Sequence, residues 1–343
     1  MKHCAAILAI GFLVLVCRPA RAGQAPSKVP SRHSTPATSR TPASVPTFKV
    51  AVNLVLVEAT VRDRHGSIVD GLKRDDFDIL EDGVEQRMRY FSRDELPLAL
   101  ALLIDRSTSI AAVLEELRQA ALETPPLLKP EDQVAMFTFA DRAKLAVALT
   151  TDRNAIVDEI PAILIGGGTD INDALIDAAT YLGEAAPARQ HAIILVSDNE
   201  ATTPSLDSEQ QVINTALKTQ TSIYSIEIGF QEHGRRLFHP LAESSFDTIR
   251  RIARETGGEV VELRTAGSVE SAMDIVISRL KQRYTLGYIS ANQNMDGAFR
   301  IIDVKIAGQS KHGKNQYKIF TRRGYYAPAT QAGASPAPAN PPK

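Results

Sequence analysis

The sequence has no tryptophan, only two cysteines and no excess of charge of either sign. Cys4 and Cys17 both lie in the apolar N-terminal segment, so a chain cleaved after Ala22 would have no thiol and no disulfide. The 39 Lys and Arg residues are balanced by 40 Asp and Glu, which argues against a nucleic-acid partner because such surfaces carry a basic excess. Beyond the N-terminus there is no apolar run of about 18 residues that could span a membrane.

The N-terminal segment has the pattern of an export signal. Lys2 and His3 precede an apolar run, and Ala20-Arg21-Ala22 supplies a small-x-small cleavage site. We therefore predict a signal peptide over residues 1–22 and a periplasmic or secreted protein with no membrane span after cleavage. A retained signal anchor is the alternative. A lipoprotein signal at Cys17 is disfavoured because the preceding Val16 is bulkier than such sites prefer.

Two segments are too polar and too rich in small residues to bury a core. Residues 23–46 consist largely of Pro, Ser, Thr, Ala and Arg, and residues 329–343 are rich in Pro and Ala. We predict a disordered linker and a disordered tail, respectively. The remaining length suffices for about two domains.

The most informative stretch is a buried-strand pattern that ends in polar residues. The apolar run from Leu98 to Ile104 is followed by Asp105-Arg106-Ser107-Thr108-Ser109. In an open α/β sheet, the carboxyl ends of the strands are where ligands bind. One carboxylate and two hydroxyls on a single loop are hard oxygen donors, which suit Mg²⁺, Mn²⁺ or Ca²⁺ rather than zinc.

Two later segments complete a discontinuous pattern. The glycine-rich loop Gly166-Gly167-Gly168-Thr169-Asp170 leads into a helical pattern. A second buried strand, from Ala192 to Ser197, ends at Asp198. Together with the first loop, these segments resemble, in order and residue type, the metal-ion-dependent adhesion site (MIDAS) of von Willebrand factor type A (VWA) domains.

This resemblance implies a specific metal site at Asp105, Ser107, Ser109, Thr169 and Asp198. The two serine hydroxyls would bind the ion directly, and Asp105 would hold it largely through water. Thr169 and Asp198 would exchange direct and water-mediated roles between two affinity states. The expected ion is Mg²⁺, or Mn²⁺ or Ca²⁺, and an open position would accept an exposed Asp or Glu side chain of a partner protein.

Further polar residues near these segments have less certain roles. Asp170 and Asp173 are better explained as acids at a helix N-terminus than as part of a second shell around the ion. Glu200 stands close after Asp198, where the family usually has glycine, and it would lower the affinity for an acidic partner or act as an internal ligand. His233 and His239 match no zinc spacing, so we interpret the surrounding segment as a surface insertion.

Strand and helix patterns alternate from residue 97 to residue 284, which predicts a doubly wound, mainly parallel sheet. We expect Ser109 to cap the helix behind the first loop, and a final amphipathic helix from Ser268 to Tyr284. Ile68 to Leu72 is a short strand candidate. The fold class is therefore α/β, and the resemblance implies that residues 97–284 form a Rossmann-like VWA domain.

The flanking segments, residues 47–96 and 285–328, have β patterns. Gly71-Leu72, Asp76-Phe77 and Glu81-Asp82-Gly83 in the first, and the ending Arg322 to Pro328 in the second, resemble phrases of a bacterial exported VWFA-related family. Each segment alone has few strands for a core. We predict that they form one small discontinuous β-sandwich in which the VWA domain is inserted.

The sequence contains no G-x-S-x-G, H-E-x-x-H or G-K-[ST] motif. We therefore expect a binding protein rather than an enzyme: an exported, adhesion-type module that binds a protein partner through a divalent cation. A structural cell-envelope or assembly protein with a non-functional metal site is the alternative.

Overall fold

The computed structural model describes residues 54–93, 96–123, 128–228, 245–308 and 317–329. All of them belong to one compact unit of the chain, Ala51–Lys343. The predictions for the signal peptide, the linker, most of the tail and the segment with His233 and His239 lie outside the described residues. None of the described helices is long and apolar enough to cross a membrane.

A six-stranded sheet forms the centre of the molecule. Its spatial order is β10-β9-β8-β5-β6-β7, and every neighbouring pair is parallel except β6 with β7. Both β5 and β8 are buried at every position, as expected for strands covered on two faces. The strands are β5 (Leu98–Asp105), β6 (Gln133–Phe139), β7 (Ala143–Thr150), β8 (Gln190–Ser197), β9 (Thr221–Glu227) and β10 (Val260–Glu262).

Helices cover both faces of this sheet. One face of the sheet packs against α1 (Leu114–Glu123), α2 (Arg153–Glu159) and α7 (Val269–Lys281). The other face packs against α3 (Ile171–Ala185), α4 (Glu209–Lys218) and α5 (Ser245–Thr256). A short helix, α6 (Leu263–Ala266), precedes α7.

Two four-stranded antiparallel sheets are built from the segments before and after the central sheet. Their orders are β13-β1-β11-β4 and β14-β12-β2-β3. Apolar residues of β1, β2, β11 and β12 form one shared core between them. The strands are β1 (Leu54–Asp63), β2 (Phe77–Glu81), β3 (Val84–Gln86), β4 (Met88–Ser92), β11 (Tyr284–Ile289), β12 (Phe299–Ile306), β13 (Tyr317–Phe320) and β14 (Gly324–Tyr326).

The predicted fold class is confirmed: a mainly parallel, helix-covered sheet accompanies antiparallel sheets. Three local predictions are wrong. Ser109 does not cap the first helix, because it lies within a 3-10 turn, Thr108–Ala112, that comes before the helix. The residue at the N-terminal end of this turn is Ser107. The final helix ends at Lys281, since Tyr284 already pairs with Ala59 of β1.

The third wrong prediction is the short strand over Ile68 to Leu72. Ile68 alone forms an isolated bridge, with Arg62. The Tyr284 hydroxyl instead donates to Val69 O and accepts from Leu72 N, at 2.8 and 3.0 Å. A buried side chain therefore holds this segment, together with one backbone bond from Val69 N to Val61 O at 2.8 Å.

Candidate metal site

The order of the central strands brings the predicted site residues to one edge of the sheet. Ile104 of β5 is aligned with Val196 of β8, so Asp105 lies beside Ser197. Asp198 is the residue that follows Ser197. All the parallel strands end at this edge, and the loops that follow them converge there. The residues predicted to form the site therefore lie at the carboxyl end of β5 and of its neighbour β8.

Asp105 is the buried centre of the site. Its side chain has no exposed surface, and its Oδ1 and Oδ2 accept hydrogen bonds from Ser107 N at 2.8 Å and Ser197 Oγ at 2.7 Å. Burial raises the pKa of the Asp105 carboxyl, the bonds from Ser197 and Ser107 oppose this, and the nearby Asp198 raises it further. A buried carboxylate next to a second one is a local excess of negative charge, which a cation would neutralise.

The two serines of the first loop lie directly after Asp105. Ser107 is half-buried and hydrogen-bonds Asp105 through both its backbone N–H and its hydroxyl. Ser109 lies in the 3-10 turn, and its side chain is outside the described part of the structure. Because the Ser107 hydroxyl is turned towards Asp105, it makes no cap bond to the turn that follows.

The glycine-rich loop is attached to the first loop by its backbone. Gly166 N donates to Arg106 O at 2.8 Å, and Asp170 N donates to Ala140 O at 2.7 Å. Thr169, between them, is 1% exposed. Asp170 caps α3, since its Oδ1 accepts a hydrogen bond from Asp173 N at 3.1 Å. This agrees with the prediction that Asp170 is an acid at a helix N-terminus.

The loop after β8 carries Asp198 to the same place. Asp198 is half-buried, and its Oδ1 accepts from Glu200 N at 3.0 Å. Asn199, between them, has a left-handed backbone with φ of 60° and is fully buried. The Glu200 side chain is exposed, so this extra acid borders the site at its solvent side.

Oxygen atoms dominate the donors gathered here. Within the described ranges, no three His, Cys, Asp or Glu side chains cluster in a way that could hold a metal ion. A cation at this edge would therefore need the hydroxyls of Ser107 and Thr169 beside the carboxylates of Asp105 and Asp198. Such a mixed hydroxyl and carboxylate set fits a hard divalent cation that retains water, such as Mg²⁺.

Several residues of the site were not predicted. Ser197 anchors Asp105, and Asp141 and Thr203 lie beside the glycine-rich loop. Ser197 stands directly before Asp198 at the end of a buried strand, and Asp141 closely follows the end of β6. Position at the carboxyl end of a strand was thus a usable signal for both, whereas nothing in the sequence marks Thr203.

A second buried carboxyl lies at the same edge, on β9. Glu227 is aligned with Ser197, is 4% exposed, and its Oε2 has no hydrogen-bond partner. Burial raises the pKa of Glu227 to about 7; Glu262 and Asp198 raise it as well, while Arg250 and Arg264 oppose them. The Nδ2 atom of Asn199 is also buried without a partner.

With this geometry established, similarity to known proteins identifies the class of the domain. Residues 100–201 match the family model of the von Willebrand factor type A domain. The match covers most of β5, all of β8 and all five predicted ligand residues. This segment is therefore similar to von Willebrand factor type A domains. No curated protein matches the sequence.

Solved structures that resemble part of this chain include three bacterial proteins. An aerotolerance-related membrane protein from Bacteroides fragilis has 17% identity over 54% of this chain and 99% of its own, with a TM-score of 0.43. BatB from Bacteroides thetaiotaomicron has 17% identity over 54% and 98%, with a TM-score of 0.42. The vWF domain of the pilus tip protein Mfa5 from Porphyromonas gingivalis has 12% identity over 54% and 95%, with a TM-score of 0.41. Similarities this distant assign no function.

Proposed function

We propose that this protein is an exported, metal-dependent protein-binding module. Asp105, Ser107, Ser109, Thr169 and Asp198 hold a divalent cation, Mg²⁺ or alternatively Mn²⁺ or Ca²⁺. The cation receives an exposed Asp or Glu side chain of a partner protein. In this proposal the site binds and does not catalyse.

The observation that carries the proposal is the convergence of three separate loops on a buried carboxylate. Asp105 is fully buried, hydrogen-bonded to Ser107 and Ser197, and close enough to Asp198 for that charge to raise its pKa. Burying a carboxylate beside another is costly unless a cation or hydrogen bonds compensate. A divalent ion would supply that compensation.

The charge around the site supports a role for the ion in recognition. Burial, then Asp170 and Asp207, raise the pKa of Asp173 at the start of α3, and the charge of Arg142 opposes them. Glu200 adds a further exposed acid. An acidic partner would be repelled by this neighbourhood, so a bound cation is needed to reverse the local field.

The proposed export rests on the N-terminal pattern of residues 1–22, as described above. A protein exported without a cysteine in its mature part depends on its apolar cores for stability, and the described residues supply three of these. The proposed partner is a protein and not a nucleic acid, because the net charge of the chain is close to zero.

Calorimetric titration of Mg²⁺ and Mn²⁺ into the purified protein tests the proposal. We expect one ion per chain, and no binding by Asp105→Ala or Ser107→Ala. Asp303→Ala is the matched control, because Asp303 is an exposed acid on β12, in the antiparallel sheets. Its affinity should equal that of the wild type.

The same titration separates the alternatives. If the folded wild-type protein binds no ion, the domain is structural and its metal site is not functional. If it binds an ion, acidic peptides should associate only when Mg²⁺ is present, and the corresponding Asn or Gln peptides should not. Metal-dependent turnover of model esters or phosphates would instead indicate an enzyme.

A further inference from the structure

We propose that Asp141 and Thr203 form a clasp that fixes Thr169 in place for cation binding. Asp141 lies in the turn between β6 and β7, and Thr203 lies in the loop after β8. Neither residue is among the predicted metal ligands. Both are positioning residues, because they act through Thr169. The inference rests on the proposed function, since it assigns them a role at the same metal site.

A chain of hydrogen bonds defines the clasp. Thr169 N donates to Thr203 Oγ1 at 3.1 Å, and that hydroxyl donates to Asp141 Oδ1 at 2.8 Å. The backbone N–H groups of Thr202 and Thr203 donate to Thr169 O at 3.1 and 3.2 Å. Both backbone polar groups of Thr169 are therefore engaged by the loop that also carries Asp198.

The Thr203 hydroxyl is central to this arrangement because it both accepts and donates. A hydroxyl has one proton to donate and lone pairs with which to accept, so it can relay the position of Asp141 to the backbone of Thr169. The Asp141 carboxylate accepts hydrogen bonds from Thr203 and from the Gly168 backbone, and both lower its pKa. The charge of Arg106 lowers the pKa of Asp141 as well. The carboxylate is thus held in its ionised, accepting form.

The packing of the glycine-rich loop shows how closely the clasp holds it. A Cβ atom at Gly168 would lie 2.0 Å from Thr203 Oγ1 and 2.3 Å from Asp141 Oδ1. At Gly167, where φ is +101°, a Cβ atom would lie 2.8 Å from Ala140 Cβ. The two glycines allow the loop backbone to lie directly against the clasp.

The consequence concerns the distance between two loops of the site. Thr169 and Asp198 are carried by different loops, and the clasp ties the first of these to the second and to the β6–β7 turn. A cation held by both residues would find them already in position, so less conformational entropy would be lost on binding. Residues that orient metal ligands typically change metal affinity by about 10–100-fold when mutated.

The test uses three variants of the full chain. Thr203→Val keeps the shape of the side chain and removes the hydroxyl, Thr203→Ser retains the hydroxyl, and Asp141→Ala removes the other end of the clasp. Thr202→Val is the matched control, since the Thr202 side chain is exposed and the clasp uses only its backbone. Circular dichroism verifies that all variants are folded.

The first readout needs no metal: hydrogen exchange of the Thr169 amide, measured by NMR with a chelator present. We expect faster exchange in Thr203→Val and in Asp141→Ala, and wild-type exchange in Thr203→Ser and Thr202→Val. Unchanged exchange of the Thr169 amide in Thr203→Val would overturn the clasp. This result does not depend on whether the protein binds an ion.

The second readout is the affinity for Mg²⁺ by calorimetry. Thr203→Val and Asp141→Ala should bind Mg²⁺ at least about tenfold more weakly than the wild type, and Thr203→Ser should restore the affinity. Equal affinity of Thr203→Val and wild type, with faster exchange of the Thr169 amide, would overturn the positioning role. If the wild type itself binds no Mg²⁺, the proposed function fails and the positioning role fails with it, while the exchange data still decide whether the clasp exists.

Discussion

At the scale of single residues, the carboxyl edge of the central sheet holds more buried negative charge than the protein fold alone would favour. Asp105 and Glu227 are both buried acids with raised pKa values, and Asp198 contributes to each shift. The Asp105 carboxylate accepts hydrogen bonds from Ser107 and Ser197, whereas Glu227 Oε2 has no hydrogen-bond partner. The two acids should therefore respond differently to pH.

Glu227 predicts a specific pH dependence of stability. Because its folded-state pKa is raised from 4.5 to about 7, its protonated form is favoured by folding. The free energy of unfolding should thus be unaffected below about pH 4.5, fall as the pH rises towards 7, and stay low above it. The ionised group costs on the order of 3 to 4 kcal/mol, since one pKa unit corresponds to about 1.4 kcal/mol.

Glu227→Gln should remove this dependence. With a chelator present, urea unfolding should show the variant to be more stable than the wild type at pH 8 and equally stable at pH 4. Glu85→Gln, an exposed acid on β3, serves as the control and should differ at neither pH. A variant less stable than the wild type at pH 8 would show that the ionised Glu227 is stabilised by the fold.

At the scale of elements, α7 connects the domain that carries the site to the antiparallel sheets. It packs against α1, which follows the 3-10 turn that contains Ser109. At its other end, Arg279 lies 3.4 Å from Glu259, and Glu259 also pairs with Arg62 of β1. A displacement of the first loop could therefore be transmitted through α1 and α7 to β1.

We predict that closure of the site on an acidic ligand shifts α7. Hydrogen exchange over residues 269–281 should change when Mg²⁺ and an acidic peptide are added together. Mg²⁺ with the matching Asn or Gln peptide should leave it unchanged, because that peptide offers no carboxylate to the ion. Identical exchange of α7 in all conditions would contradict the predicted movement.

The elements also show how far the sequence could be interpreted. Buried runs such as Leu98 to Ile104 identify central strands, because only strands covered on both faces are apolar throughout. The three motif segments likewise predict that the candidate ligands lie at one edge, since parallel strands end at one edge. The end of α7 was missed because its helical pattern continues into Tyr284, whose pairing with β1 is a contact between segments far apart in the sequence.

The same limit applies to the residues around the site. Thr203 belongs to the candidate site only because its loop folds back over Thr169, and no local pattern encodes that return. Ser107 precedes a 3-10 turn, and its hydroxyl bonds Asp105 and makes no cap bond to that turn. Propensity and periodicity describe segments, and they do not report which hydrogen bonds compete for a side chain.

At the scale of the whole molecule, buried polar contacts join the antiparallel sheets to the central sheet. Arg283, whose side chain is 4% exposed, lies 3.0 Å from Glu58 of β1 and donates to Tyr224 of β9 at 2.6 Å. The guanidinium also donates to the Ser222 hydroxyl, likewise on β9, at 3.3 Å. The guanidinium thus bridges two sheets with separate apolar cores.

Replacement of Arg283 should weaken the molecule as a unit. Arg283→Met leaves Glu58 without its cationic partner and should lower the free energy of unfolding by about 3 kcal/mol, as measured in urea. The control is Arg93→Met, since Arg93 pairs with Asp70 at an exposed site, where the loss should be under about 1 kcal/mol. Equal losses in both variants would show that the bridge contributes nothing beyond a surface pair.

The central claim, a cation held where three loops of the VWA domain meet, is tested most directly by locating the ion. Crystals grown with Mn²⁺ allow this through the anomalous scattering of the metal. We predict one strong peak within coordinating distance of oxygen atoms of Ser107 and Ser109 and beside Asp105, Thr169 and Asp198, absent from crystals of Asp105→Ala. A map with no peak at this edge, or with the peak at another acidic site, would contradict the account.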